Sequence, residues 1–375
     1  MKMKLSNLAL LGGFALLFVG GVILSSCEGE QGPAGPPGAD GEDGVDGVDG
    51  QDGQDANSTC ILCHSDDQTI VTKSRQYANS GHSTGHASGY TNRSFGPNYD
   101  CAGCHTSQGF LAALAAGSSS PPYADVTQPN CYTCHKIHDT YTTADWALTS
   151  GDPVDPATGS DAVDLGSGNQ CARCHQFVAQ YLLIDSLFAN FDDGGLTTVT
   201  LTAGQLRVGV HHAPQYNIIG GIDLFEFPGT YPTSENHITA QAPDGCVTCH
   251  MNDGFGDLTG HAMAITYEFH GSENFHWSAT CTACHDGDDE LEGKVTDIAA
   301  VVDPLMTQLY DLLVASGIMY AEGTDDEFLM APGVFTTDLV AAHVNYNAIR
   351  EDRSHGFHNP AYIEAILTNT IAALQ

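Results

Sequence analysis

A mainly α fold with extensive loops, a small β-hairpin insertion and a C-terminal helical region is predicted by three observations. A five-residue pattern, Cys-x-x-Cys-His, occurs six times between Cys60 and His285, leaving room only for short helices and loops. One stretch, LTTVTLTAGQLRVGV from Leu196 to Val210, alternates with the period of a β-hairpin. From Lys294 onward the apolar residues recur at i, i+3 and i+4, the period of amphipathic helices.

Taken in order, the chain opens with Lys2 and Lys4, then an apolar stretch from Leu5 to Leu24 that ends Leu24-Ser25-Ser26-Cys27. A short basic segment, an apolar run and small residues read as an export signal over residues 1–26. The ending resembles a bacterial lipobox. It implies cleavage before Cys27, lipidation of that thiol and a protein exported and tethered to the cell envelope, at the outer membrane or the cell surface. An uncleaved anchor is the alternative, since the run is about long enough to span a bilayer, but it leaves Cys27 unexplained. No second apolar segment of spanning length is read further on.

Residues 27–56 form the next region. From Gly29 to Asp55 glycine recurs every third residue for nine triplets, the collagen pattern in which only glycine fits the crowded axis. Proline is confined to two triplets, and the stretch carries eight acids with no Lys or Arg. Two readings stay open: a trimerising stalk, or an extended spacer kept apart by its own charge, with the repulsion favouring the spacer. Residues 57–290 hold the six repeated motifs, and residues 291–375 are a C-terminal helical region packed on them. Within the first of these, Gln176 to Asn190 is apolar at helical spacing. In the second, helices are expected over Lys294–Met319 and Thr337–Arg350. A last one starts at Asn359 as N-cap with Pro360 in the first helical position.

Composition narrows the function. The 375 residues include 46 Asp and Glu against 11 Lys and Arg, a formal charge of −35. Such a surface repels nucleic acid and lowers the local concentration of small anions. Hydrophobic residues make up 42% of the chain, enough for a packed core. The unusual counts are 13 Cys and 18 His.

The six motifs are CILCH from Cys60, CAGCH from Cys101, CYTCH from Cys131, CARCH from Cys171, CVTCH from Cys246 and CTACH from Cys281. Cys-x-x-Cys-His is the c-type haem attachment motif. Two thiols three positions apart reach the vinyl groups of one porphyrin, and the next residue offers an imidazole to its iron. Zinc sites, redox dithiols or disulfides could use one copy, but none requires a histidine after all six second cysteines. Cys60, Cys63, Cys101, Cys104, Cys131, Cys134, Cys171, Cys174, Cys246, Cys249, Cys281 and Cys284 would hold six covalently bound haem c groups, and Cys27 is the thirteenth cysteine. His64, His105, His135, His175, His250 and His285 would be the proximal ligands.

Twelve histidines remain, more than the six needed to give every iron a second imidazole. His138 stands too close to His135 to cap the same iron and can face a neighbouring one. The other candidates are His82, with His86 as rival, His212 or its neighbour His211, His237, His261, and His358 or His355. His276 and His343 are assigned no iron.

The tail VNYNAIREDRSHGFHNPAYIEAILTNTIAAL resembles the C-terminal helices of the pentahaem cytochrome c nitrite reductase and cytochrome c-552 superfamily. CAGCHTSQGF, CYTCHKIHDTYTTADW, HHAPQYN and NHITAQAPDGCVTCHMNDGFGDLTGHAM are similar to segments of larger multihaem cytochromes of that group. The resemblance implies a multihaem cytochrome c fold. It also implies that His82, His138, His211 or His212, His237, His261 and His358 match the axial positions. Those reductases bind their catalytic haem through Cys-x-x-Cys-Lys, which this chain lacks. A relay of bis-histidine haems is therefore expected rather than an enzyme, its partners being redox proteins or an extracellular acceptor. A reductase of a small nitrogen or sulfur oxyanion with one open haem, or a filament-forming or otherwise homo-oligomeric cytochrome, are the alternatives.

Overall fold

The computed structural model describes Ile61, His64 and residues 68–84, 101–117, 126–156, 160–177, 191, 197–202, 212–232, 236–252, 256–277, 279–282, 285–323 and 328–375. The chain divides into two units, Met1–Gln54 and Asp55–Gln375. The expected export signal, Cys27, the glycine repeat and most of the helix expected over 176–190 lie outside the described residues.

The second unit is mainly α. Its first part is built from α1 (Gln68–Ala78), α2 (Ala102–His105), α3 (Ser107–Ala116), α4 (Cys131–Cys134), α5 (Asn169–Ala172), α6 (Gln215–Gly220), α7 (His237–Gln241), α8 (Cys246–His250) and α9 (Ala279–Thr282). Most of these are single turns, which cannot stand alone in water because nucleation outweighs so few hydrogen bonds. Local capping sustains several of them. Asn130 accepts from the Tyr132 amide while Thr133 Oγ1 accepts from the Asn130 amide, and Asn236 and Thr239 repeat this capping box ahead of α7.

The C-terminal part is different in scale. Helix α10 (Asp288–Ala315) starts with Asp288, Asp289 and Glu290 at the positive end of its dipole and stops before Gly317, whose φ is 78°. It thus begins six residues before Lys294 and ends before Met319. Helix α11 (Thr337–Asp352) is capped by Thr336 Oγ1, and α12 (Pro360–Leu374) by Asn359 with Pro360 at N1, as expected. Helix α10 also corrects the sequence reading in one respect. By length and composition, with a mean hydropathy of 1.4 over its best window, it is apolar enough to cross a membrane. Its buried residues Leu291, Val302, Leu309 and Leu313 form one stripe, the pattern of a helix laid on a core.

Two small antiparallel sheets complete the unit. Strand β1 (Thr198–Leu201) falls inside the stretch expected to form a hairpin, but its partner is distant. It pairs with β4 (Gly333–Thr336), from Thr198 opposite Thr336 to Leu201 opposite Gly333. The other half of the expected hairpin, residues 203–210, lies outside the described residues. The hairpin among the described residues joins β2 (Thr266–Phe269) to β3 (Ser272–Phe275) through His270 and Gly271, with φ of 53° and 79°. Positive φ at both loop positions matches the twist of the strands, and His-Gly is a weak sequence signal for it beside Asn-Gly.

The main apolar core joins α10, α11 and α12 to Phe177, Leu201, Ile218, Phe225 and Phe227 from earlier in the chain. A much smaller cluster, Val154, Leu165, Ala172, Tyr216, Ile219 and Ile238, lies among the motif helices. His343 is buried in the main core and its Nε2 donates to the Phe328 carbonyl at 3.0 Å. Burial pushes its imidazole down to about 4. The unfolded chain therefore binds a proton that the folded chain excludes between about pH 6.5 and 4. This contribution to stability is complete above pH 6.5 and falls as the pH drops, by up to ~3 kcal/mol. In His343→Gln, unfolding followed by denaturant at pH 7.5 and pH 5 should show a smaller loss on acidification than in the parent.

Candidate cofactor-binding sites

The motifs share one local geometry. In four of them the amide of the histidine closes a helical turn on the carbonyl of the first cysteine: His105 to Cys101 at 2.9 Å, His135 to Cys131 at 2.9 Å, His175 to Cys171 at 2.9 Å and His285 to Cys281 at 3.0 Å. The fifth, Cys246–His250, is itself a helical turn. A spacing of three on a helix puts both thiols on one side, and the histidine follows beside them. Cys60, Cys63 and Cys284 lie outside the described residues.

Five motif histidines face a histidine from elsewhere in the chain. Ring centres are 6.1 Å apart for His64 and His138, 6.0 Å for His175 and His82, and 6.1 Å for His135 and His261. They are 6.1 Å apart for His285 and His237, and 6.3 Å for His250 and His358. His105 stands by His212: burial lowers the His105 pKa first, and the nearby His212 lowers it further. The separation has a physical meaning. Two metal–nitrogen bonds of about 2 Å, plus about 1 Å from each nitrogen to its ring centre, span about 6 Å. An iron therefore fits between the rings of each measured pair. Among the described residues no three His, Cys, Asp or Glu side chains converge as a bare metal-ion site.

The hydrogen bonds of these rings are one-sided. His82 turns Nδ1 to Met263 Sδ at 3.0 Å, His138 to the Tyr132 hydroxyl at 3.3 Å and His135 to the Trp146 carbonyl at 2.7 Å. His175 turns it to Gln215 Oε1 at 3.1 Å, and His250 to the Met263 carbonyl at 3.1 Å. His212, His285 and His358 turn it to Glu351, Glu290 and Asp352, at 2.8, 3.3 and 2.7 Å. Occupying Nδ1 fixes the tautomer and leaves Nε2 as the nitrogen free to take a metal. His343, by contrast, spends Nε2 on a carbonyl.

Burial keeps several rings neutral, the form that binds metal. His250 is pushed down to about 4 by burial and by His358, and His82 and His175 are also lowered, chiefly by burial. For His358 burial opposes the charge, yet the Asp352 carboxylate holds its pKa above the usual value.

Positioning comes from residues without a sequence signal. His138 has a φ of 67°, and Asp145 accepts from the amides of His138, Thr140 and Tyr141 and from the Thr140 hydroxyl at 2.6 Å, which fastens that loop. Gln76 on α1 accepts from the His261 amide at 3.2 Å. Met263, with a φ of 58°, serves His82 and His250 at once. Strained backbone of this kind collects where function over-determines it. Of the rival histidines, His86 and His211 lie outside the described residues. His355 is exposed and faces Asp303 at 3.0 Å, and His276 stacks on Tyr267 at 4.2 Å.

The motifs are also contiguous. The Cys104 and Cys174 thiols lie within hydrogen-bonding reach of each other, as do those of Cys171 and Cys246. The backbone segments ahead of Cys171 and Cys246 also approach closely: a Cβ on Gly166 (φ 55°) would sit 2.2 Å from the Pro243 carbonyl oxygen, and one on Gly168 3.0 Å from the Cys246 nitrogen. Gly166→Ala should destabilise the protein by about 2 kcal/mol or more in denaturant unfolding. The comparison is Gly151→Ala, whose added methyl meets nothing within 4 Å.

No family model matches the chain, and no curated protein matches it. Among solved structures it is similar to the crystal structure of the outer cell wall cytochrome OcwA, at 19% identity and a TM-score of 0.49 over 81% of this chain. The chain spans about half the length of that protein, 50%.

Proposed function

We propose that the protein is a hexahaem c-type cytochrome that relays electrons at the cell envelope. Every pair of facing histidines joins one motif residue to one residue outside the motifs, and this observation carries the reading. His64 and His138, His105 and His212, His135 and His261, His175 and His82, His250 and His358, and His285 and His237 would be the six axial pairs. The motif cysteines would hold the porphyrins by thioether bonds. Haem c so bound supplies a one-electron ferric–ferrous couple.

The side chains suit that use. With haem bound, two imidazoles would hold each iron from both sides and would leave no coordination site open to a substrate. Rings fixed through Nδ1 move little when the charge changes, which favours fast electron transfer. Contiguous motifs keep neighbouring sites close, as a relay requires. The acidic surface disfavours reduction of small anions.

Pyridine haemochrome absorbance should count six haems per chain. Paramagnetic resonance should show low-spin iron, with no shift of the reduced spectrum under carbon monoxide. His358→Ala should open one site in six, giving a high-spin signal and binding carbon monoxide there. A substantial high-spin haem in the unmodified protein that binds carbon monoxide overturns the relay in favour of an enzyme.

The export signal and Cys27 support lipid attachment at the outer membrane or the cell surface, with the acidic glycine repeat as a spacer. A redox protein or an extracellular acceptor would be the partner. Cys27→Ala should move the protein out of the membrane fraction without changing its haem count. Equal fractionation of variant and parent counts against the anchor.

A further inference from the structure

Helix α11 ends in a way that helix electrostatics disfavours. Glu351 and Asp352 occupy its last turn, where the dipole is already negative, and both carboxylates are nearly inaccessible, with side-chain exposures of 9% and 0%. Arg350 offsets Glu351 at 2.6 Å, while Asp352 is met by the Ser354 hydroxyl and by His358. A local rule broken in a buried place marks a site with another purpose.

Three axial histidines from three different pairs converge there. His212 reaches Glu351 Oε2 at 2.8 Å and His358 reaches Asp352 Oδ1 at 2.7 Å. Gln215 connects the third: its Oε1 faces His175 Nδ1 at 3.1 Å, and its Nε2 donates to the backbone carbonyls of Glu351 and Asp352 at 3.4 and 3.2 Å. Elsewhere the acceptors are weaker or wetter. His135 donates to a backbone carbonyl, and Glu290, which faces His285, is 40% exposed.

Resting on the bis-histidine reading above, we propose that Glu351 and Asp352 are positioning residues. They orient His212 and His358 and set the potentials of the two sites those histidines serve below that of the His135–His261 site, whose motif histidine donates to a backbone carbonyl and which has no buried carboxylate on either ring among the hydrogen bonds described. A buried carboxylate on Nδ1–H raises the basicity of the imidazole and places negative charge close to the iron, with little solvent to screen it. Both effects stabilise the ferric form.

The test is a spectroscopic redox titration of the full haem-loaded chain with Glu351→Gln and Asp352→Asn. Each amide can still accept from Nδ1–H through its oxygen, so orientation is kept and only the charge is removed. One potential in six should rise in each variant, by at least a tenfold change in the ferrous-to-ferric ratio, which is about 59 mV for one electron. Asp352→Glu should restore much of the shift. Asp303→Asn, opposite His355, which stands outside the six pairs, should leave all six potentials in place. Unmoved potentials in both haem-loaded variants overturn the proposal, as does an equal shift in Asp303→Asn. Loss of haem in both Glu351→Gln and Asp352→Asn overturns it in favour of a purely structural role. If the unmodified protein itself lacks six low-spin haems, the relay reading fails instead, before any variant is compared.

Discussion

Most of the paired imidazoles hold Nδ1 on an acceptor, and supplying those acceptors ties the second unit together. They come from many places: the Trp146 and Met263 carbonyls, the Met263 sulfur, the Tyr132 hydroxyl, Gln215, Glu290, Glu351 and Asp352. Bringing each to within 2.7–3.3 Å of its ring ties loops to helix ends far away in sequence. His212 and Glu351, for instance, are separated by the whole of α10 and yet share a hydrogen bond. A chain whose motif helices are single turns would have little order of its own without such ties.

Apolar packing is distributed to match. The large core lies under α10, α11 and α12, where long helices present continuous stripes. This part is the rigid support: it buries His343, anchors Phe225 through Asn345 and carries Glu351 and Asp352 at the end of α11. Around the motifs, polar capping and close glycine contacts take over, as at Asn130, Asn236, Gly166 and Gly168. The two regimes meet at α6, where Ile218 joins the large core, Ile219 joins the small cluster, and Gln215 bridges His175 to the end of α11.

Much of the architecture was legible because it rests on local signals. The Asn359-Pro360 start of the last helix and the apolar period of α10 and α11 are short-range features, and they appear within a few residues of where the pattern places them. Over 196–210 the alternation reports only that a strand has one buried face, and residues 203–210 lie outside the described residues. It does not report the partner, which is β4, far along the chain. The turn at His270 and Gly271 escaped notice for the opposite reason: its backbone is that of a tight hairpin, but histidine is not a residue that announces a positive φ. Asp145, Gln76 and Met263 could not be found either, since a carboxylate, an amide and a thioether acquire meaning only from what they face.

The sequence by itself determined the chemistry on offer: six Cys-x-x-Cys-His units, a surplus of histidines, an acidic surface and a C-terminal helical region. It also narrowed the second histidines to a few loops, because a residue beside a motif cannot reach back to the same ring. Tertiary structure decided which histidine faces which, and how His212 is set against Glu351 and His358 against Asp352. Those choices depend on distances between segments up to 185 residues apart, as from Gln76 to His261. Spacing along a chain constrains only neighbours within a turn or two, whereas facing rings are fixed by how whole helices pack.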